Sequence, residues 1–472
     1  MHLGVLRESD PSENRVAVVP DGVAAWIRNG EQSAARVSVE HGAGSGAGID
    51  DASYRDAGAS LAGRDEVLAA DIVVSVGDLP ETDALSPAAG AAAIFVGAFD
   101  PLWAPQRAQR HAAAGVCAFS LDLVPRITRA QSMDVLSAMG TIAGYESVLV
   151  AASRLPQMFP LMMTAAGTLA PARVLVLGAG VAGLQAIATA RRLGAVVEAY
   201  DVRPAALEQI RSMGARAVEI NLSEAGADTA ASEDAGGYAR AQADAVADRQ
   251  KQLLAPYVAA SDVVITTAAI PGRASPLLVT AAMVEAMANG SVVVDLAAER
   301  GGNCELSRPD AEVVHSGVTV LAPTDLVSRC ARHSSQMFSR ALVTFLRHLV
   351  PDPDEGPRSD LHEDEILSAM LVAQGGEVTH HKVAEALGGS PDSQATQESQ
   401  VPSGHQESPQ AASEAQEAQA SPDAQASQET SEPPATQESP DPREQTAATD
   451  SQEAPQTPQA PQAPGEAQEA RS

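Results

Sequence analysis

For its first 350 residues the chain alternates strand-length apolar runs with amphipathic stretches. Residues 2–6 (HLGVL), 37–40, 71–76, 92–96 and 116–119 are short apolar runs of buried-strand type. The clearest helix signal between them opens at Pro20 and runs to about Asn29. Such strand–helix alternation predicts an α/β domain built on a parallel sheet. A second series follows at 173–177, 195–200, 215–220, 263–266 and 292–295, with 318–321 expected to close that sheet. Residues 241–254 read as a helix within this series. Thr324 and Asp325 precede a long helical stretch to about Leu349, which carries Ser328, Ser335 and Ser339 and is expected to return to the first domain. The apolar run 366–372, then Gly375-Gly376 and Val378, predicts a hairpin.

One stretch carries recognisable chemistry. Arg173–Leu177 ends in Gly178-Ala179-Gly180-Val181-Ala182-Gly183, a GxGxxG turn that runs into a helix-period segment. A second apolar run then delivers Asp201, 18 residues past Gly183. Gly178 suits a tight turn, Gly180 lets a pyrophosphate approach the backbone, and Gly183 lets helix and strand pack closely. The helix start offers N–H groups and a positive dipole end to phosphates. A carboxylate at Asp201 would accept the adenosine ribose hydroxyls and repel a 2′-phosphate, so NAD(H) is expected over NADP(H). Glycines alone also mark ordinary turns. The ordered strand, turn, helix, strand and acid favour dinucleotide binding.

Composition narrows the classes. The net charge of −30 disfavours nucleic acid as a partner. Residues 391–472 hold 15 acidic residues against Arg443 and Arg471, so −13 of that charge lies there. From about residue 388 the chain is Ala, Gln, Glu, Ser and Pro with almost no large apolar residue, and it is expected to be disordered. A chain truncated at Gly389 should therefore melt as the full chain does; a drop of several degrees would show a docked tail. Cys117, Cys304 and Cys330 form no CxxC and suggest a reducing compartment. No apolar signal core opens the chain. Residues 155–172 and 174–190 are long and uncharged, but prolines interrupt the first and the second is the glycine motif, so no direct membrane insertion is expected.

Other segments leave two readings open. After Pro125 the pattern becomes helical, with Arg126, Arg129, Gln131, Asp134 and Ser137 polar at its start. Three-residue spacing puts Gln131, Asp134 and Ser137 on one face. That face is either a solvated helix start or a set of hydrogen-bonding groups suited to a carboxamide and ribose. His41–Gly48 (HGAGSGAG) reads as a loop rather than a phosphate cradle, because no helix begins at once. Residues 221–239 are too polar to pack and read as a mobile loop bearing Tyr238. His41 and His111 are lone histidines, read as surface or packing residues, and no metal cluster is expected.

PRITRAQSMDVLS (125–137), PLMMTAAGTLAPARVLVLGAGVAGLQAIATARRLGAVVEAYDVR (160–203), GGYA (236–239) and DLAAERGGNC (295–304) resemble the NAD(H)-binding subunit of proton-translocating NAD(P) transhydrogenase. The likeness covers residues 1 to about 385. It implies two Rossmann-like doubly wound parallel-sheet domains with a cleft between them, the first formed by 1–126 with 327–387, the second by 127–326. It implies NAD(H) in the cleft and NADP(H) on a partner β subunit, with a membrane-embedded α2 chain translocating the proton. A homodimer on the cytoplasmic face of the membrane is likewise implied. Arg126, Gln131, Asp134 and Ser137 then match the nicotinamide end, with Gln131 closest to the transfer. Gly178, Gly180, Val181, Ala182, Gly183, Asp201, Val202, Arg203 and Ala268 match the rest of the nucleotide site, and Tyr238 the closing loop. The opening RESDPSENRVAVVP (7–20) is also similar to alanine dehydrogenases. Those need a lysine near 75 and a histidine near 96, where this chain has VVSVGDLP (73–80) and IFVGAFDP (94–101). A non-catalytic NAD sensor is the third reading.

Overall fold

The computed structural model describes residues 1–28, 35–80, 85, 93–220 and 244–388. Tyr238 and the polar loop around it, and the tail from 389, lie outside the described residues.

Two sheets organise the chain. The first contains β1 (His2–Val5), β2 (Arg36–Glu40), β3 (Ser60–Ala62), β4 (Ile72–Val74), β5 (Ile94–Gly97) and β6 (Cys117–Ser120). A small separate hairpin, β7 (Met162–Thr164) and β8 (Gly167–Leu169), precedes the second sheet. That sheet takes β9 (Arg173–Leu177), β10 (Val196–Tyr200), β11 (Arg216–Ala217), β12 (Val263–Thr266), β13 (Val292–Asp295), β14 (Glu312–His315) and β15 (Val318–Leu321). Late in the chain, β16 (Leu371–Gln374) and β17 (Glu377–Val378) rejoin the first sheet, which runs β17-β16-β6-β5-β4-β1-β2-β3. The second runs β11-β10-β9-β12-β13-β15-β14. Read from β3 to β6 and from β11 to β15, both follow the doubly wound order 3-2-1-4-5-6, with parallel pairing throughout. This order reverses direction once, between β1 and β4 in one sheet and between β9 and β12 in the other. In doubly wound sheets ligand crevices open at such a reversal.

The apolar runs are continuous because both faces of each central strand are covered. Val174, Leu175, Val176 and Leu177 are all buried, as are Val263, Val264 and Ile265. Each such side chain is worth roughly 1.5–3 kcal/mol when fully buried.

Several sequence expectations need correction. Residues 318–321 do not close the second sheet: β14 pairs antiparallel outside β15. Its alternating exposure (Val314 is 66% exposed) hides a strand signal that depends on long apolar runs. The run 366–372 is half helix, Glu365–Met370, because Asp364 caps the amides of Ile366 and Leu367. Only Leu371 onward is strand. The β7–β8 hairpin lies in the proline-interrupted stretch, where the sequence pattern predicts no strand.

The expected helix from 326 breaks at Cys330 into Leu326–Arg329 and Ala331–Leu349. Its serines have a structural task. Residues 12–19 form no regular element, yet three of their amides are satisfied by these serines: Ser328 Oγ accepts from Asn14 N–H (2.7 Å), Ser335 Oγ from Val16 (3.0 Å) and Ser339 Oγ from Val19 (3.1 Å). A late helix thus holds an early segment. The helix Val135–Arg154 alone among the described residues is long and apolar enough to cross a membrane. Here it packs on the helix Val181–Arg192 so closely that a Cβ at Gly144 would overlap the carbonyl oxygen of Ala182.

Candidate functional site: a nucleotide crevice at the second sheet

The glycine turn sits at the reversal between β9 and β12. Gly178 has φ +99°, a left-handed conformation that glycine adopts without strain. A Cβ at Gly183 would overlap Gly178 O, so helix and strand approach as closely as a backbone allows. Gly180 is different. It is the N-cap of the helix Val181–Arg192, and an added Cβ there would meet nothing within 4 Å. That open face lies above first-turn amides that no side chain caps, an arrangement able to receive an anion. Val181, beside it, is 40% exposed.

Asp201 closes the turn from β10. Its Oδ2 accepts Ala179 N–H at 2.7 Å, and Gly178 N–H donates to Tyr200 O at 2.8 Å. Its Oδ1 accepts the Arg203 amide at 2.9 Å. The Arg203 side chain adds Nε to Oδ1 and Nη2 to Oδ2, both at 3.0 Å. Val202 lies between them, half-buried.

From β12, Thr267 Oγ1 donates to Gly178 O at 3.1 Å, and Ala268 N lies against Gly178. Ala268 is held by Asn303, whose Oδ1 accepts Ala268 N–H (3.0 Å) and whose Nδ2 donates to Ala268 O and Pro276 O (2.8 Å each). Asn303 is held in turn by Asp295. This buried carboxylate accepts from Thr266 Oγ1, Ala297 N–H, Asn303 N–H, Cys304 N–H and Ser307 Oγ at 2.7–3.0 Å. In the sequence, DLAAERGGNC carries a family resemblance but no evident role. In the fold it is a clamp that sets the loop after β12. Its signal is an aspartate at a strand end, followed eight residues later by asparagine.

The polar helix start divides. Gln131 stands on a 3-10 turn, Thr128–Met133, and is exposed. Asp134 is the N-cap of Val135–Arg154: its Oδ1 accepts Ser137 N–H (2.8 Å) and its Oδ2 accepts Ser137 Oγ–H (2.6 Å). The expected single helical face is thus a turn followed by a capping pair. Arg126 is exposed at the entrance to that turn. Further along the same helix, Gly140 lies 3.7 Å (as a Cβ) from Ala182 N. The two helix starts therefore adjoin, and Asp134 stands about 9 Å beyond that contact at 1.5 Å per residue.

A second contact ties the two domains at the rim. Asp100, with φ +45°, pairs with Arg300 at 2.5 Å, and its amide donates to the half-buried Asp122 (2.7 Å). Leu102 packs against Gly272. Burial pushes the Asp122 carboxyl above its ordinary range.

The equivalent reversal in the first sheet is filled by protein. Glu8, just past β1, accepts Val76 N–H (2.6 Å) and Gly77 N–H (3.3 Å) from the loop after β4. Ser75 Oγ donates to Gly77 O at 2.7 Å. Arg15 forks onto Glu13. Burial raises the Glu8 carboxyl to about 7. A raised acid favours its protonated form in the fold, while the unfolded chain ionises near 4.5. Stability from this group should thus fall as pH rises from about 4.5 to 7, by ~3 kcal/mol in all. Glu8→Gln should flatten that slope in denaturant midpoints; an unchanged slope would refute the assignment.

His111 is fully buried, stacked on Phe95 at 4.7 Å, and His41 is exposed near Asp51. The segment 41–48 is a packed turn in which a Cβ at Gly46 would meet the Asn14 backbone, not an open cradle.

The alanine dehydrogenase/PNT N-terminal domain profile matches residues 4–143 and the C-terminal domain profile residues 147–381. The chain belongs to the alanine dehydrogenase/PNT family. Within it, the chain is 40% identical over 389 residues to the first portion of the NAD(P) transhydrogenase alpha subunit of Rhodospirillum rubrum, covering 80% of this chain and 98% of that one. The crystal structure of transhydrogenase from Sinorhizobium meliloti superposes with a TM-score of 0.70 at 39% identity, over 80% of this chain and 100% of that one. Alanine dehydrogenase 2 of Staphylococcus aureus is 28% identical over 396 residues, 82% of this chain and 96% of that one. The family is one of NAD(H)-binding oxidoreductases.

Proposed function

We propose that the chain binds NAD(H) in the β9–β12 crevice and exchanges hydride with NADP(H) held by a partner β subunit. The proton-translocating, membrane-embedded α2 partner would couple that exchange to proton movement, with this chain on the cytoplasmic face. The observation that carries the reading is the glycine turn closed by Asp201 at the reversal of strand order. The 40% identity to a transhydrogenase alpha subunit supports it.

The residues present fit the cofactor. Gly178, Gly180, Val181, Ala182 and Gly183 would receive the pyrophosphate on backbone amides. Asp201 and Val202 would hold the adenosine half with Arg203 at its edge, and Ala268 would line the crevice. Arg126, Gln131, Asp134 and Ser137 would meet the nicotinamide end, and Tyr238 would close over it. Bound nicotinamide supplies the hydride chemistry, so the protein needs neither acid–base group nor metal; its work is orientation and exclusion of water. We assign domain boundaries at 1–126 with 327–387, and 127–326.

A homodimer is part of the proposal. At the β7–β8 hairpin Leu161 (54%), Met163 (78%) and Leu169 (52%) are exposed, Leu169 opposite Met162 and so on the other face from Met163. Exposed apolar side chains on both faces of a hairpin suit burial against a second copy of the chain.

The alanine dehydrogenase reading is disfavoured by the ends of β4 and β5, which carry Ser75 and no lysine or histidine. Mixing the chain with the partner subunits and following reduction of an NAD analogue by NADPH separates the readings. Transhydrogenation supports the proposal, pyruvate amination with NADH supports the alternative, and binding without turnover supports a sensor. For the adenosine side, Asp201→Ala should weaken NADH and strengthen NADPH in a fluorescence titration; equal wild-type affinities would sink the NAD(H) preference.

A further inference from the structure

The Asp201 carboxylate has no acceptor position to spare. A carboxylate offers about four lone-pair sites. Ala179 N–H and Arg203 Nη2 take those of Oδ2; the Arg203 amide and Arg203 Nε take those of Oδ1. Two of these donors are backbone amides, set by the turn after β9 and the bend after β10. The other two belong to one guanidinium. The Asp201 side chain is 7% exposed and that of Arg203 is 21% exposed, so the guanidinium is the solvent-side partner. A ribose diol brings two hydroxyl donors and can reach Asp201 only at the two sites the guanidinium occupies.

We propose that Arg203 is a reversible cap on Asp201 that must swing aside before the ribose binds, so that the Asp201–Arg203 pair, not the carboxylate alone, sets the choice between NAD(H) and NADP(H). The proposal rests on the reading that NAD(H) binds in this crevice. The cap lowers the apparent NADH affinity by the fraction of molecules in which it is closed. A displaced guanidinium stands beside the ribose, where a 2′-phosphate would pair with it. It therefore costs NADH some affinity and returns some to NADPH. Salt screens the capping pair and opens it.

A cap and a direct nucleotide contact predict opposite signs. Full-length wild type, Arg203→Ala, Arg203→Lys, Asp201→Ala and the double variant are titrated with NADH and NADPH at low and high salt. Arg203→Ala should tighten NADH about two- to fivefold, the range for a part-exposed ion pair, and weaken NADPH. Arg203→Lys should fall between, because lysine is a point charge without the fork. In the Asp201→Ala background, Arg203→Ala should no longer tighten NADH. Raising the salt should favour wild type relative to Arg203→Ala. Weaker NADH binding by Arg203→Ala, or the same tightening without Asp201, overturns the cap. Failure of the underlying reading looks different: NADH binds none of the proteins, or Asp201→Ala changes neither affinity, and the cap falls with it.

Discussion

Gln131→Ala should bind NADH within about tenfold of wild type yet transfer hydride on the order of 10²-fold more slowly in the reconstituted complex. The side chain stands exposed on the turn Thr128–Met133, at the start of the helix whose Gly140 adjoins Ala182. In the proposed site the pyrophosphate and adenosine half rest on the glycine turn and Asp201, away from Gln131. Losing one hydrogen bond at the nicotinamide ribose costs roughly 0.5–1.5 kcal/mol of binding. Hydride transfer is far more sensitive, since a misplacement of about 1 Å can cost 10²-fold in rate. Affinity from titration and rate from single-turnover mixing with the partner separate the two. An equal fall in both makes Gln131 an ordinary binding residue. No change in either makes it a solvated turn residue.

Asp295→Ala should be the most damaging single change among the residues described. It removes the acceptor for five donors, three of them backbone amides, in a fully buried setting. Buried donors left unpaired cost about 1–3 kcal/mol each, so a loss on the order of 4 kcal/mol or more is expected, at the far end of single substitutions. The loss has a functional side. Asn303 takes its place from Asp295 and fixes both the amide and carbonyl of Ala268. Once the clamp slackens, the β12 side of the crevice loses its register with Gly178, and NADH affinity should fall at least about tenfold. Denaturant midpoint and titration test both halves of this expectation; a midpoint near that of wild type would show that water replaces the carboxylate.

Much of this was legible in the residues. GxGxxG and Asp201 named the crevice because each glycine answers a local demand: a positive φ at Gly178, an open face at Gly180, a close approach at Gly183. Central strands were visible because parallel strands buried on both faces read as unbroken apolar runs. Edge elements were not. β14 alternates half-buried and exposed positions, and the β7–β8 hairpin is exposed in a stretch broken by prolines and Gly167, so neither shows a long buried run. Residues 366–370 are as apolar as a strand, and only the cap at Asp364 makes them helical.

The sequence by itself determined the family of fold, the glycine turn and the acid that closes it, because each depends on neighbours within about thirty residues. Tertiary structure decided the rest. It joined Ser328, Ser335 and Ser339 to a segment more than 300 residues earlier. It placed Asn303 against Ala268 and Asp100 against Arg300. It turned Asp134 and Ser137 inward on each other as a cap, and set Arg203 across the carboxylate of Asp201. Spacing tells which side chains share a face. It does not tell which lone pairs are already taken, because that depends on where each donor ends up after packing.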